Sequence, residues 1–150
     1  MRRPQVLIVV GFGVFVFLGI SLMLARSLSA TGTERSKVQE IAEAQARGDA
    51  KAVLKRTPAC AREPACVVAT DAFVAKLKRP GFVQILQYQP SVQLPLTDAI
   101  GTGRVAWRAG PNGYPVVQCV RVRRDGPLSG ANVELLSISA PIGRESSCPS

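Results

Sequence analysis

A run of 20 residues without a charged side chain, from Val6 to Ala25, constrains this chain more than any other feature. At about 1.5 Å per residue, a helix of that length is roughly 30 Å long, which matches the hydrocarbon thickness of a bilayer. A soluble helix would present a polar face at every third or fourth residue, and this run has no such face. The sequence therefore predicts one transmembrane helix.

The charges that flank this run predict its orientation. Arg2 and Arg3 precede it, and Arg26 directly follows it. Because positively charged flanks stay in the cytoplasm, the N-terminus is predicted to lie inside the cell. We therefore expect a single-pass protein of the cell membrane, with a cytoplasmic tail at 1–5, a transmembrane helix at 6–25, a polar linker at 26–32 and an extracytoplasmic domain at 33–150.

A cleaved signal peptide is the alternative interpretation of the same segment. Ser27 and Ser29 would then be the small residues of the cleavage site. Secretory signals have apolar cores of about 7–15 residues, so the longer run favours a retained anchor. Both interpretations deliver the rest of the chain to the same side of the membrane.

Four cysteines indicate that this side is oxidising, because disulfides persist mainly in exported proteins. Three pairings are open, and the most economical one joins Cys60 to Cys66 and Cys119 to Cys148. On the chain-entropy estimate, the longer loop contributes roughly 3.5 kcal/mol to stability and the shorter one roughly 2.5 kcal/mol. The second bond is therefore expected to hold the C-terminal segment in place.

Helical periodicity dominates the chain from residue 33 to residue 80. Helix boundaries are marked by a capping threonine, by Gly48-Asp49 and by prolines, since a residue before proline avoids the helical region. The predicted helices cover Glu34–Arg47 after the cap Thr33, Ala50–Arg56 before Pro58, and the stretch from Pro64 to Pro80.

Alternation and turns replace helical spacing after Gly81. Gly110-Pro111-Asn112-Gly113 is a strong turn signal that predicts a hairpin. The strand candidates are Phe82–Gln89, an irregular Val92–Leu96, Gly103–Ala109, Tyr114–Arg124 and Asn132–Ile142. Helices followed by strands predict an α+β domain, with two to three helices packed on a curved antiparallel sheet of four to five strands. The expected core residues are Phe73, Phe82, Leu86, Trp107 and Leu136.

The residue types exclude much of catalytic chemistry. The chain has no histidine, which removes the usual general base near neutral pH and the commonest metal ligand. Neither cysteine spacing has the Cys-x-x-Cys form of zinc knuckles and redox pairs, and no glycine-rich phosphate loop occurs. We predict no catalytic residue, no cofactor and no metal site. The alternative is an enzyme that uses carboxylates, among Asp71, Asp98, Asp125 and Glu134.

Basic residues are the remaining polar signal. When Arg2, Arg3 and Arg26 are set aside, 16 basic and 10 acidic residues remain. Arginines alternate with other residues in two predicted strands, and such a face attracts anionic headgroups or an envelope polyanion. A plainly solvated sheet face is the alternative. The predicted polyanion-facing residues are Arg104, Arg108, Arg121 and Arg123, and the lack of interleaved aromatic residues argues against nucleic acid as a partner.

The run Ala46–Cys60 (Ala-Arg-Gly-Asp-Ala-Lys-Ala-Val-Leu-Lys-Arg-Thr-Pro-Ala-Cys) resembles the first helical hairpin of bacterial secreted proteins in the nuclear-transport-factor-2-like superfamily. In that cone-shaped α+β fold, helices and a strongly bent antiparallel sheet close a cone. The order of predicted elements agrees through to Ile142. The superfamily includes enzymes, ligand binders and non-catalytic envelope modules. Its enzymes place His, Asp or Tyr in the cone, and no functional residue is carried over to this chain.

Pilin-like subunits resemble the chain in outline, with an apolar N-terminal helix, an antiparallel sheet and a C-terminal disulfide. Their processing motif has a short polar leader before Gly-Phe and a glutamate five residues into the mature chain. Here Gly11-Phe12 lies inside the apolar run and the matching position is Val16. That departure disfavours a structural subunit.

The function predicted from these features is a non-catalytic, membrane-tethered domain of the bacterial envelope. Its partners would be the bilayer, through the N-terminal helix, and an envelope protein, polyanion or small ligand. The excess of arginine over lysine, 14 residues against 5, is typical of bacteria with GC-rich genomes.

Overall fold

The computed structural model describes residues 3–91, 97–126, 128–130 and 132–149. Within these residues the protein is an α+β structure with four helices and a four-stranded antiparallel sheet in the order β1-β2-β3-β4. The helices are α1 (Arg3–Arg47), α2 (Ala50–Arg56), α3 (Pro58–Ala61) and α4 (Pro64–Leu77). The strands are β1 (Val83–Gln89), β2 (Ala99–Ala109), β3 (Val116–Arg124) and β4 (Val133–Ile138). The predicted irregular strand Val92–Leu96 lies outside the described residues.

Helix α1 is continuous over 45 residues, so the predicted helix start at Thr33 is wrong and the residues 26–32 of the predicted linker are helical. The hydroxyl of Thr33 donates to the carbonyl oxygen of Ser29 inside the helix (3.0 Å) and does not cap a new one. No proline occurs between Gln5 and Arg47, and the single glycine of the linker, Gly32, costs only about 1 kcal/mol relative to alanine. Nothing in these residues breaks a helix.

The N-terminal half of α1 is apolar and exposed. In the part of the chain that the structure describes, α1 is the one helix long and apolar enough to cross a membrane, and none of its most apolar window is buried. The C-terminal half is different, since Val38 and Ile41 are fully buried in the core. One helix therefore has one half without protein neighbours and one half packed into the domain.

Helix α1 ends at the Gly48-Asp49 pair, as the sequence predicts. Gly48 has a φ of +75°, and its N–H donates to the carbonyl of Gln45 (2.9 Å) while Asp49 N–H donates to the carbonyl of Ala44 (2.9 Å). These two bonds form a Schellman motif, which favours glycine at this position. The Asp49 carboxylate then accepts from Ala52 N–H (2.9 Å) and caps α2.

Two core predictions are wrong. Phe82 is 79% exposed because it precedes β1 in the turn after Gly81, and Leu86 is 45% exposed. A register shift between Ile85 and Gln87 makes Leu86 a bulge residue, so its side chain does not follow the alternation of the strand. Trp107 and Phe73 are buried as predicted, whereas Leu136 is half-buried.

The inner face of the sheet packs on α1. Helix α1 contacts β1, β2 and β4, α3 contacts β4, and α2 and α4 pack against α1 and each other. The short helix α3 was not predicted; Pro58 occupies its first turn, where the missing N–H is not needed. The hydrophobic core therefore lies between the sheet and the C-terminal half of α1.

The structure contains two disulfides, and their pairing is the one that the sequence favours among the three. Cys60–Cys66 (S–S 2.00 Å) joins α3 to α4, and Cys119–Cys148 (2.04 Å) fixes the C-terminal segment to β3. Cys119 pairs with Arg104 in the sheet register, so the long bond lies on the outer face. The C-terminal segment consequently runs across that face.

We expect the two bonds to differ in their contribution to stability. Replacing Cys119 and Cys148 together by serine should lower the free energy of unfolding by roughly 3.5 kcal/mol, against roughly 2.5 kcal/mol for the Cys60/Cys66 pair, because the longer loop restricts the unfolded chain more. Denaturant unfolding of the full chain in detergent micelles, followed by Trp107 fluorescence, measures both. Equal losses would contradict the loop-entropy explanation.

Candidate functional site

The four predicted polyanion-facing arginines all lie on the outer face of the sheet. In the β2–β3 register, Arg104 is opposite Cys119, Thr102 is opposite Arg121 and Ile100 is opposite Arg123. Arg108 lies on the same face of β2, opposite Gln84 of β1. No two of these four arginines are direct cross-strand partners, so the face avoids the repulsion that opposed like charges would cause.

Three of these arginines are held by neighbouring groups. The Arg104 guanidinium donates to backbone carbonyls of the C-terminal segment, those of Ser146 (3.3 Å) and Arg144. Arg108 donates to the Gln84 side chain (3.1 Å), and Arg123 forms an ion pair with Glu134 (3.0 Å). A polyanion at this face would compete with those contacts, and its binding there stays a prediction.

The carboxylates that the sequence offered for catalysis make local contacts. Asp98 accepts from Gly126 N–H (2.9 Å), and Asp125 accepts from the Asn132 side chain (3.2 Å). Asp71 is exposed on α4. These are turn and surface positions. Within the described residues, no group of three or more His, Cys, Asp or Glu could hold a metal ion.

A buried polar cluster that sequence reasoning missed lies between α1 and the sheet. Glu34 and Arg124, 0% and 1% exposed, form an ion pair with Nε and Oε2 2.5 Å apart. The Tyr88 hydroxyl donates to the Glu34 carboxylate, as do the Ser91 hydroxyl (3.1 Å) and N–H (3.1 Å). The Arg124 guanidinium also reaches the Thr31 hydroxyl oxygen (3.4 Å). The cluster thus joins α1 to β1 and β3.

The pattern of the sequence contained a signal for both members of this pair. Glu34 precedes the buried Val38 by four residues and therefore lies on the same helix face. Arg124 has the same parity as the buried Val120 and Val122, so strand alternation assigns it to the inner face. Opposite charges on two faces that meet in one core predict an ion pair.

This pair is enclosed, which argues for a structural role. Both oxygens of Glu34 accept hydrogen bonds, and neither charged side chain is exposed to solvent. A buried charge is tolerated only where its partner and its remaining hydrogen bonds are supplied by the protein. Removing one partner therefore costs far more than the net contribution of the pair.

A polar side chain without a partner lies further along α1. Gln45 is fully buried, and both polar atoms of its amide lack a hydrogen-bond partner among the described residues. Such an amide loses its hydration without compensation, at a cost of about 1–3 kcal/mol. The amide of Gln45 therefore lowers the stability of the core.

An open surface cavity of about 830 Å³ lies at the end of α1 that is remote from the apolar half. We call it the distal groove. It is lined by residues of the α1 end and of the α4–β1 turn: Glu43, Ala46, Arg47, Lys78, Arg79, Pro80, Gly81, Phe82 and Val83. Arg47 lies about 33 Å beyond Ala25 along the helix axis, at 1.5 Å per residue.

Glycines and backbone bonds shape this groove. Arg79 N–H donates to the carbonyl of Ala46 (2.9 Å), which ties the turn to the end of α1. A side chain on Gly81, whose φ is +110°, would lie 2.8 Å from the backbone of Gly110. The turn can therefore approach the β2–β3 hairpin only because Gly81 lacks a Cβ.

The groove combines an apolar surface with positive charge. Phe82 is 79% exposed, and Tyr114 beside the hairpin is 78% exposed. The Arg79 guanidinium donates to the Tyr114 carbonyl oxygen (2.9 Å), which connects the groove to that hairpin. The lining includes Arg47, Lys78 and Arg79 but a single carboxylate, Glu43, so it carries an excess of two positive charges. Sequence reasoning missed this site because it assigned Phe82 to the core.

Breaking the buried pair from one side should be strongly destabilising. We expect Arg124→Met to lower the free energy of unfolding by about 3–5 kcal/mol, since Glu34 then stays buried without a counter-charge. The double variant Glu34→Leu/Arg124→Met should recover most of that loss. The adjacent Arg123→Met removes only the exposed pair with Glu134 and should cost less than about 1 kcal/mol. Equal losses for the two arginine variants would contradict this account.

Replacing the unpartnered amide should have the opposite sign. Gln45→Met keeps the shape of the side chain and removes the two unsatisfied polar atoms, so the free energy of unfolding should rise by about 1–2 kcal/mol. The same denaturant titration measures it. A loss of stability would mean that the amide has a partner in solution.

Comparisons of the whole chain with protein-family models, with curated proteins and with solved structures return no match. The resemblance to the nuclear-transport-factor-2-like superfamily therefore stays a prediction, and so do the activities of that superfamily.

Proposed function

We propose that this protein is a non-catalytic, membrane-anchored module of the bacterial envelope that binds an acidic, partly apolar segment of another envelope protein in the distal groove. The observation that carries the proposal is the groove itself, whose lining includes an exposed phenylalanine and three cationic side chains. Its ligand class follows from charge complementarity and from the exposed apolar surface.

The anchor has two kinds of support. The exposed, apolar half of α1 has no protein neighbours to cover it, and a bilayer covers such a surface. The two disulfides are typical of a domain in an oxidising compartment outside the cytoplasm. With the N-terminus inside, the distal groove would face away from the membrane and towards other envelope components.

The surroundings of the Glu34 carboxylate and of the distal groove favour binding over catalysis. The fully buried carboxylate of Glu34 is already paired with Arg124 and enclosed, so it is poorly suited to proton transfer with a substrate. The distal groove is open and offers contact area and charge. A recognition segment with one aromatic or aliphatic anchor flanked by acidic residues would fit both features.

We expect the groove to bind a labelled acidic peptide that carries a central phenylalanine. Fluorescence anisotropy with the full chain in detergent micelles measures the affinity. The variant Arg47→Glu/Lys78→Glu should weaken binding at least about tenfold, which corresponds to roughly 1.4 kcal/mol. Phe82→Ser should weaken it as well, and added salt should weaken it in the unaltered chain.

A matched control separates the groove from the general positive charge. Lys51→Glu/Arg62→Glu makes the same charge change at two exposed positions outside the groove lining. It should leave the affinity nearly unchanged. If both double variants lose affinity equally, binding depends on net charge alone and the proposed site is wrong. Arg121→Glu tests the outer sheet face in the same assay.

A further inference from the structure

The strands run along α1, which decides which loops face the bilayer. Val83 at the start of β1 lies beside Ala46 in the distal groove, and Tyr88 near its end contacts Glu34. Strand β1 is therefore antiparallel to α1. Because the sheet is an antiparallel meander, the β3–β4 connection lies at the same end as Tyr88, towards the apolar half of the helix.

The base of the β3–β4 hairpin lies level with residues 31–34 of α1. The guanidinium of Arg124, the last residue of β3, contacts Glu34 (2.5 Å) and Thr31 (3.4 Å). On the other strand, the Lys37 ammonium donates to the carbonyl of Val133 (2.6 Å). Both strands of the hairpin are thus fixed to the helix at this height.

The hairpin continues beyond that base. Asp125 N–H donates to the carbonyl of Asn132 (2.9 Å), which adds one rung to the ladder, and Ser129 N–H donates to the carbonyl of Gly126 (2.9 Å) in the turn. At about 3.3 Å per residue, Asp125 and Gly126 carry the hairpin roughly 7 Å past Arg124 before the turn. The same distance equals about four to five residues of α helix at 1.5 Å each.

The tip consequently reaches the level of about residues 27–30 of α1, roughly one helical turn from Ala25, where the uncharged run ends. Leu128 stands at this tip and is 79% exposed; Leu28 on α1, at nearly the same height, is 73% exposed. A single exposed leucine is ordinary on a protein surface. At the height where a membrane helix leaves the hydrocarbon, an apolar side chain on a second element is placed to enter lipid.

We infer that the β3–β4 tip is a second membrane contact, which inserts Leu128 into the interfacial layer of the bilayer that holds α1. The inference rests on the proposed anchor. Because α1 is continuous through residues 26–32, the height of the tip relative to the apolar run is fixed. The hydrogen bond from Gly126 N–H to the Asp98 carboxylate (2.9 Å) attaches the hairpin to the segment before β2.

The contact is apolar in character. Asp98, which accepts from Gly126 N–H, and Asp125 adjoin the tip, and Arg26 lies on α1 one residue beyond the uncharged run. Two carboxylates against one guanidinium give no attraction to anionic headgroups. Insertion should therefore occur equally in zwitterionic and anionic membranes.

Quenching by brominated lipid tests this inference. The full chain is reconstituted in phosphatidylcholine vesicles, with and without phosphatidylglycerol, whose acyl chains carry bromine near the headgroup end. Leu128→Trp should lose most of the fluorescence that the new indole contributes, in both lipid mixtures. Trp107, which is fully buried in the core, provides the unquenched reference in the unaltered chain.

The matched control is Tyr114→Trp, at a position that is equally exposed (78%) but lies at the distal end. It should not be quenched. If the chain floats with the vesicles and Leu128→Trp is quenched no more than Tyr114→Trp, the membrane contact is wrong while the anchor stands. Quenching of both indoles would overturn the proposed height of the tip. A chain that does not float with the vesicles would overturn the anchor, and this inference with it.

Discussion

The ion pair between Glu34 and Arg124 is the interaction on which the arrangement of this molecule depends, because it ties the long helix to the sheet. Glu34 belongs to the helix that carries the apolar segment, whereas Arg124 ends a strand 90 residues later. Both charges are buried, so any displacement of the sheet along α1 would leave a charge without a partner, at a cost of several kcal/mol. The ion pair therefore sets the register between α1 and the sheet.

That register, together with the unbroken helix, gives the molecule two different ends. One end carries the β3–β4 hairpin and faces the apolar half of α1. The other end carries the groove formed by the α1 terminus and the α4–β1 turn, where Gly81 allows a close backbone contact with Gly110. A flexible linker between the apolar run and the domain would have left two distances undefined, that of the β3–β4 hairpin and that of the groove from the bilayer. Here the proposed anchor and the proposed binding surface are separated by rigid secondary structure.

The outer face of the sheet shows how tertiary contacts change the meaning of a charge pattern. Alternation in β2 and β3 correctly assigns Arg104, Arg108, Arg121 and Arg123 to one face. The disulfide from Cys119 to Cys148 then draws the C-terminal segment across this face, and its carbonyl groups bind Arg104. Arg123 is paired with Glu134. The sequence pattern alone suggests a row of unpaired cations. In the structure, Arg104, Arg108 and Arg123 have hydrogen-bond or ion-pair partners.

The sequence by itself determined the elements that local chemistry controls. The apolar run, the Gly48-Asp49 boundary, the helix that begins at Pro64 and the Gly110–Gly113 hairpin follow from residue type and spacing. Spacing favoured one of three disulfide pairings, and the structure decided for that one. Only the tertiary structure decided the continuity of α1 through 26–32, the bulge that exposes Leu86, the groove beside Phe82 and the burial of Glu34 with Arg124. Each of these depends on which distant surfaces meet, and a local pattern of hydrophobicity does not contain that information.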